Sequence, residues 1–186
     1  MSSQVPDIHR KLVEACQAGD RKAQYEVYNS YSRAMYNLCL RMMNNTDEAS
    51  DMLQEAFLDA FTRIGTFRFE STFGAWLKRI VINKCINALQ KRKIEFVDED
   101  IENENHIIEN DEGIDEDALS LSVERVKKAI LLLPENARIV FSLYLLEGYD
   151  HSEIAEILKI TESTSKTQFM RARQRVRDIL IAMPTE

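Results

Sequence analysis

The sequence predicts an all-α fold arranged as two small helical domains, and three observations carry that expectation. Glycine and proline are scarce, at five and three residues in 186, so the chain offers few helix breakers. Apolar residues recur at spacings of three and four, the helical period, and no convincing alternation of apolar and polar residues marks a strand. A single acidic tract, EFVDEDIENENHIIENDEGIDED, interrupts this pattern near the middle. Its high charge and scant aromatic content cannot recover ordering entropy by burial, which is the composition of a flexible linker. The expected division is therefore an amino-terminal unit over 1–94, an acidic linker over 95–118 and a carboxy-terminal unit over 119–186.

Helices are expected at Ile8 to Ala18, Arg21 to Met43, Asp47 to Ile64 and Thr72 to Arg92 in the first unit. In the third of these, Ala49, Met52, Leu53, Ala56, Ala60 and Ile64 line a core face. Its opposite side carries Asp47, Asp51, Gln54, Glu55 and Leu58, an apolar anchor ringed by acid and amide, as suits a basic partner helix. An ordinary acidic solvent face with one exposed leucine has the same composition. The fourth helix sets Phe73, Leu77, Ile80 and Val81 inward. Its other side presents Thr72, Trp76, Arg79, Asn83, Asn87 and Gln90 as one stripe. Aromatics stack on unpaired bases, amides bond base edges and cations hold phosphates, so this stripe suits single-stranded DNA. The preceding loop, Phe67 to Phe73, is placed to hold a base flipped from the stack.

In the second unit, helices are expected at Leu119 to Leu132, Glu135 to Glu147, His151 to Leu158 and Glu162 to Ala182. Val123, Val126, Ile130 and Leu133 recur at three and four, and Pro134 opens the next helix in a tolerated position. The last two helices, joined by a short link, read as a helix-turn-helix. Asp150 and Thr161 stand at their cap positions. On the final helix Phe169, Ala172 and Val176 stack with Ser165 on one side. Ser163, Thr167, Met170 and Gln174 point the other way, flanked by Lys166, Arg171 and Arg177. Two residues depart from the ideal motif: Lys159 stands where the tight turn favours glycine, and Ser165 is a weak core residue.

Net charge is −7, which looks unsuited to nucleic acid until its distribution is considered. Twelve of the 31 acidic residues lie between Glu95 and Asp117, leaving 19 against 24 basic residues elsewhere. From Arg68 to Lys93 seven basic residues face one acidic one, so positive charge gathers on both sides of the acidic tract. The three cysteines lack disulfide or zinc spacing, and the three histidines form no ligand cluster. No run reaches the roughly 20 apolar residues of a membrane span. These features imply a cytoplasmic protein with no membrane insertion, no metal and no cofactor. No phosphate-binding glycine loop or nucleophile–base arrangement supports a helical nucleic-acid enzyme.

Three segments in fixed order, Asp47 to Phe61, Phe67 to Lys93, and Leu132 to Leu158 with Thr164 to Val176, closely resemble an extracytoplasmic-function sigma factor of bacterial RNA polymerase. The match covers nearly the whole chain outside the acidic tract. It implies sigma region 2 in the amino-terminal unit and sigma region 4 with its helix-turn-helix in the other. The resemblance assigns Asp51, Gln54, Glu55, Phe57 and Leu58 to docking on core RNA polymerase, with Phe57 supporting from beneath. It assigns Phe73, Trp76, Arg79 and Asn83, with the preceding loop, to opening the minus-ten element and capturing its non-template strand. Ser163, Thr164, Lys166, Thr167, Met170 and Arg171 correspond to the helix that enters the major groove at the minus-thirty-five element. The implied partners are core polymerase, duplex and melted promoter DNA, and, as a family expectation, an anti-sigma factor. The implied role is a specificity subunit without catalysis of its own. A helix-turn-helix regulator acting alone leaves the docking face and the Trp76 stripe without a use.

Overall fold

The structure is a computed structural model that describes residues 9–95 and 123–183. Eight α-helices and no strand are found among them. The expected acidic linker, and the first turn expected at Leu119, lie outside the described residues.

In the amino-terminal unit α1 (Arg10–Gln17), α2 (Arg21–Met43), α3 (Thr46–Arg63) and α4 (Phe73–Glu95) follow one another. Local chemistry sets their limits. After Gly19 at φ +87°, the Asp20 carboxylate accepts hydrogen bonds from the amides of Lys22 at 2.8 Å and Ala23 at 3.4 Å, capping α2. Asn44 ends α2 in the left-handed region at φ +54°. Asn45 then caps α3 by accepting from Asp47 and Glu48. Two residues thus suffice to reverse the chain between closely packed helices. A 3-10 turn, Ile64–Thr66, closes α3. Thr72, expected as the first helical residue of α4, is its cap instead: the hydroxyl accepts from the Ala75 amide at 3.2 Å. Gly74 lets α4 approach α2, since a Cβ there would stand 3.1 Å from the Tyr31 ring.

The carboxy-terminal unit comprises α5 (Val123–Leu131), α6 (Glu135–Phe141), α7 (His151–Leu158) and α8 (Glu162–Ala182). The single helix expected from Glu135 to Glu147 runs unbroken to Leu146, with Glu147 as its cap, but Ser142–Leu146 winds as a π-turn. Arg125 donates to the Leu180 and Met183 carbonyls at 3.1 and 2.9 Å, fastening α5 to the end of α8.

Val27, Leu38, Met42, Phe73, Leu77 and Val81 are among the wholly buried side chains of the first unit's core. That core continues into the second unit through Ile139, Val140, Leu143 and Ile154. Ala129, Ile130, Leu133, Phe141, Ala172 and Val176 form a second cluster between α5, α6 and α8. The units are therefore in direct contact. Buried apolar area, at about 25 cal/mol per Å2, supplies the main attraction in both clusters.

Candidate polymerase and nucleic-acid interfaces

The outer face of α3 exposes Asp51, Gln54, Glu55 and Leu58. Leu58 is 69% exposed, with Gln54 and Thr62 one turn away on either side. Phe57 is buried beneath, edge-on to Tyr28 at 4.8 Å and tilted against Phe61. It belongs to the core beneath this face rather than to the solvent-exposed surface. The acidic face is partly neutralised from α4, where the Lys84 ammonium lies 3.0 Å from Asp59 and 3.6 Å from Glu55. An acidic rim around a single exposed leucine is the composition of a docking surface for a basic, partly apolar helix.

On α4, Arg79, Asn83 and Asn87 are exposed along one line, and Trp76 is half-buried at its amino-terminal end. Trp76 is not freestanding: its ring lies 5.3 Å from Phe67 and 5.5 Å from Phe73. One correction follows for Phe73, which the resemblance grouped with the DNA-facing residues. It is 0% exposed, enclosed by Tyr31, Phe67 and Trp76. An aromatic ring with no free face cannot stack on a base, so Phe73 can only support Trp76. In the preceding loop Phe67 is buried, Phe69 half-buried and Arg68 and Glu70 exposed.

In the helix-turn-helix, Asp150 and Glu153 form a reciprocal capping box, with bonds of 2.8 and 2.9 Å. Thr161 caps α8 by accepting from the Thr164 amide at 3.0 Å. Lys159 occupies the left-handed turn at φ +56°, so the position does require the conformation that favours glycine. Ser165 is wholly buried, but its hydroxyl is bonded to His151 Nδ1 at 2.9 Å. The polar residue that looks weak in sequence is a bridge between the two helices. Ser163, Thr164, Lys166, Thr167, Met170 and Arg171 are all exposed on α8. Lys166 is paired with Glu162 at 2.6 Å, and Met170 adds an apolar contact among polar groups.

The sequence does not reveal the joint between the units. Arg138, in the otherwise apolar run Ala137–Phe141, is 4% exposed. Its guanidinium donates to the Arg41 carbonyl at 2.7 Å, to the Met42 carbonyl at 3.3 Å and to the Leu133 carbonyl at 3.0 Å. The first two belong to the last turn of α2, where unpaired carbonyls and the helix dipole favour a cation. Burial pulls the Arg138 pKa down from its ordinary value, and Glu135 opposes that shift. Glu147 pairs with both Arg41 and Lys78. Thr164 and Gln168 of α8 share a cavity of about 210 Å3 with Ile86, Leu89 and Gln90 of α4. A charged residue inside an apolar helical run was the one available sequence signal for this joint.

A helical unit with an acidic face around one exposed leucine and an aromatic–amide stripe, followed by a helix-turn-helix unit, has the make-up of a transcription protein. Residues 27–94 match the model of Sigma-70 region 2 and residues 123–176 that of Sigma-70 region 4. The extracytoplasmic-function sigma factor SigW of Bacillus subtilis is 32% identical over 176 residues, covering 90% of this chain and 94% of SigW. The sigma-E factor of Haemophilus influenzae is 34% identical over 185 residues, covering 95% of this chain and 96% of that one. Among solved structures, CnrH in complex with the cytosolic domain of CnrY has a TM-score of 0.56 at 19% identity, covering 96% of this chain and all of that one. RpoE with the anti-sigma factor NepR from Bartonella quintana also scores 0.56, at 23% identity, with 86% and 98% coverage. These two share the fold. The chain belongs to the extracytoplasmic-function sigma factors, and it is a promoter-recognising partner of bacterial RNA polymerase.

Proposed function

We propose that the chain divides its work as follows: residues 1–94 bind core polymerase and the minus-ten element, 95–118 connect, and 119–186 bind the minus-thirty-five element. Asp51, Gln54, Glu55 and Leu58, seated on Phe57, dock on the polymerase. Trp76 stacks on an unpaired base, while Arg79 holds the backbone and Asn83 bonds a base edge. The loop over 67–72 takes a flipped base. Ser163, Thr164, Lys166, Thr167, Met170 and Arg171 enter the major groove, with the cations on phosphates and the small polar groups on base edges.

The observation that carries this reading is the exposed line of Arg79, Asn83 and Asn87 continuing from an aromatic cluster that ends in Trp76. Binding energy here is directed at separated strands, so the chain assists melting without making or breaking a covalent bond. RNA synthesis belongs to the core polymerase, and the site of action is the cytoplasm. No described helix is long and apolar enough to cross a membrane. An anti-sigma protein is a further partner, since RpoE of Bartonella quintana, which shares this fold, forms a complex with the anti-sigma factor NepR. The chain's overall acidity weakens its hold on DNA when it is alone, because phosphate neutralisation supplies most nonspecific affinity.

The test is transcription of a genomic DNA library by purified bacterial core polymerase with and without the protein, followed by mapping of RNA starts. New starts sharing two upstream elements support the assignment. An unchanged set of starts overturns it.

A further inference from the structure

The loop that precedes α4 is held from behind by α1, which lies outside the matched region-2 segment. The Gln17 side-chain amide donates to the Ile64 carbonyl and to the Phe67 carbonyl, each at 2.9 Å. Only the NH2 end of that amide can serve two carbonyl acceptors. Two turns earlier on the same helix, the Arg10 guanidinium sits 4.7 Å from the centre of the Phe69 ring. Its Nε is fixed by Glu14 at 3.0 Å.

Phe69 itself is in the left-handed region at φ +59°. A bulky residue there is an outlier, and such a conformation persists only where surrounding contacts over-determine it. Those contacts form a chain. Arg10 covers the Phe69 ring, which lies 4.8 Å from Phe67, and Phe67 lies 5.3 Å from Trp76. Gln17 pins the backbone at Phe67, the middle of that series. The strained residue and the half-buried tryptophan are thus the two ends of one aromatic row whose far side is set by α1.

We propose that Arg10 and Gln17 are positioning residues that fix the shape of the 67–72 loop and so determine which base it accepts. The inference rests on the proposed base-capturing role of that loop. Arg10 and Gln17 do not touch DNA in this scheme. They act through Phe69 and Phe67, so their loss broadens base selection at one promoter position while leaving polymerase docking and major-groove reading intact.

The experiment uses holoenzyme assembled from core polymerase and the full chain, bound to single-stranded oligonucleotides of the non-template minus-ten sequence. Each position is varied through all four bases. Gln17→Leu and Arg10→Leu are expected to reduce discrimination at one position by about tenfold, within the range that a lost base contact costs, with core affinity unchanged. Arg10→Lys, which keeps a cation over the ring, should retain most of the discrimination. Phe69→Gly removes the ring and relieves the backbone strain. It should broaden selection in the same way, which keeps the inference testable if Gln17→Leu fails to fold. Trp76→Ala should weaken binding to every oligonucleotide. Unaltered selectivity in Arg10→Leu and Phe69→Gly, with binding lost in Trp76→Ala, overturns the positioning role alone. Unaltered binding in Trp76→Ala overturns the base-capture reading on which it rests.

Discussion

Glu147 of the carboxy-terminal unit and Lys78 of the amino-terminal unit form an ion pair at 2.8 Å. The same carboxylate pairs with Arg41, and its side chain is only 7% exposed. Arg138 clasps the end of α2 beside it. Lys78 adjoins Arg79, and the Arg79 charge is felt at Tyr149, two residues beyond Glu147. The joint therefore lies against the same helix that presents the exposed stripe running from Trp76 to Asn87. Promoter elements centred near minus ten and minus thirty-five are roughly 25 base pairs apart, or about 85 Å at about 3.4 Å per base pair. Units in side-chain contact cannot span that distance, so simultaneous engagement of both elements requires this joint to separate. Glu147→Lys places a third cation between two others, and breaking a buried charge pair costs about 3–5 kcal/mol. The free variant is expected to open, seen as a larger radius of gyration in small-angle scattering. A scattering profile identical to the parent's would show that the ion pairs do not hold the units together.

The α3 face makes a different kind of prediction, because its charged and apolar parts respond differently to salt. Reversing Asp51 and Glu55 to lysine is expected to weaken capture by core polymerase about tenfold or more at low salt, since exposed charge pairs contribute about 0.2–1 kcal/mol each and reversal adds repulsion. The loss should shrink at high salt. Leu58→Ala should cost a similar amount at both salt concentrations, as an apolar anchor does. Equal affinity of all three proteins for core polymerase would remove this face from the docking surface.

Periodicity and capping chemistry made most of the architecture legible: α7 and α8 begin where Asp150 and Thr161 place them, and α2 and α8 span the expected Arg21–Met43 and Glu162–Ala182. The failures have physical causes. Thr72 has the helix-compatible spacing of its stripe, but its hydroxyl serves as a cap, so the helix starts one residue later. Phe73 was assigned to DNA by resemblance although its own spacing put it on the core face, and the core won. The Ser165–His151 bond and the Arg138 clasp join residues distant in sequence, and helical period alone says nothing about which polar side chains meet. The π-turn at Ser142–Leu146 likewise leaves no mark in a pattern that reads as uniform helix.

Lys159 offers a stability test in which two backbone effects oppose each other. Its φ of +56° costs a side-chain-bearing residue about 1–2 kcal/mol relative to the right-handed form. Glycine avoids that cost but loses more entropy on folding, about 0.5–1 kcal/mol. The first effect is larger, so Lys159→Gly is expected to stabilise the chain by about 0.5 kcal/mol. Denaturant titration with an unchanged slope would measure it. A loss of stability would mean that Lys159 makes compensating contacts in the turn.

Alkaline pH should destabilise the fold through protons that the native state retains. Burial raises the Cys16 thiol above its ordinary value of 9.0, with Asp20 and Glu26 adding to the effect. The Cys85 thiol is raised chiefly by its hydrogen bond with the Cys39 thiol and then by burial. Burial also raises Tyr149 above 10.0. In each case the unfolded chain releases its proton at a lower pH than the folded chain does. Below about pH 9 both states hold these protons, and the stabilisation is fully present. As pH climbs through the unfolded values and toward the folded ones, unfolding becomes coupled to proton release, and stability falls. For Cys85, which is wholly buried, the slope approaches about 1.4 kcal/mol per pH unit. Denaturant unfolding measured at intervals from about pH 7.5 to about pH 10.5 should give a plateau followed by a decline. Cys85→Ala lowers stability everywhere through a small cavity, but it removes one releasable proton, so its decline should be shallower. Parallel declines in the parent and Cys85→Ala proteins would show that this thiol does not hold its proton through the transition.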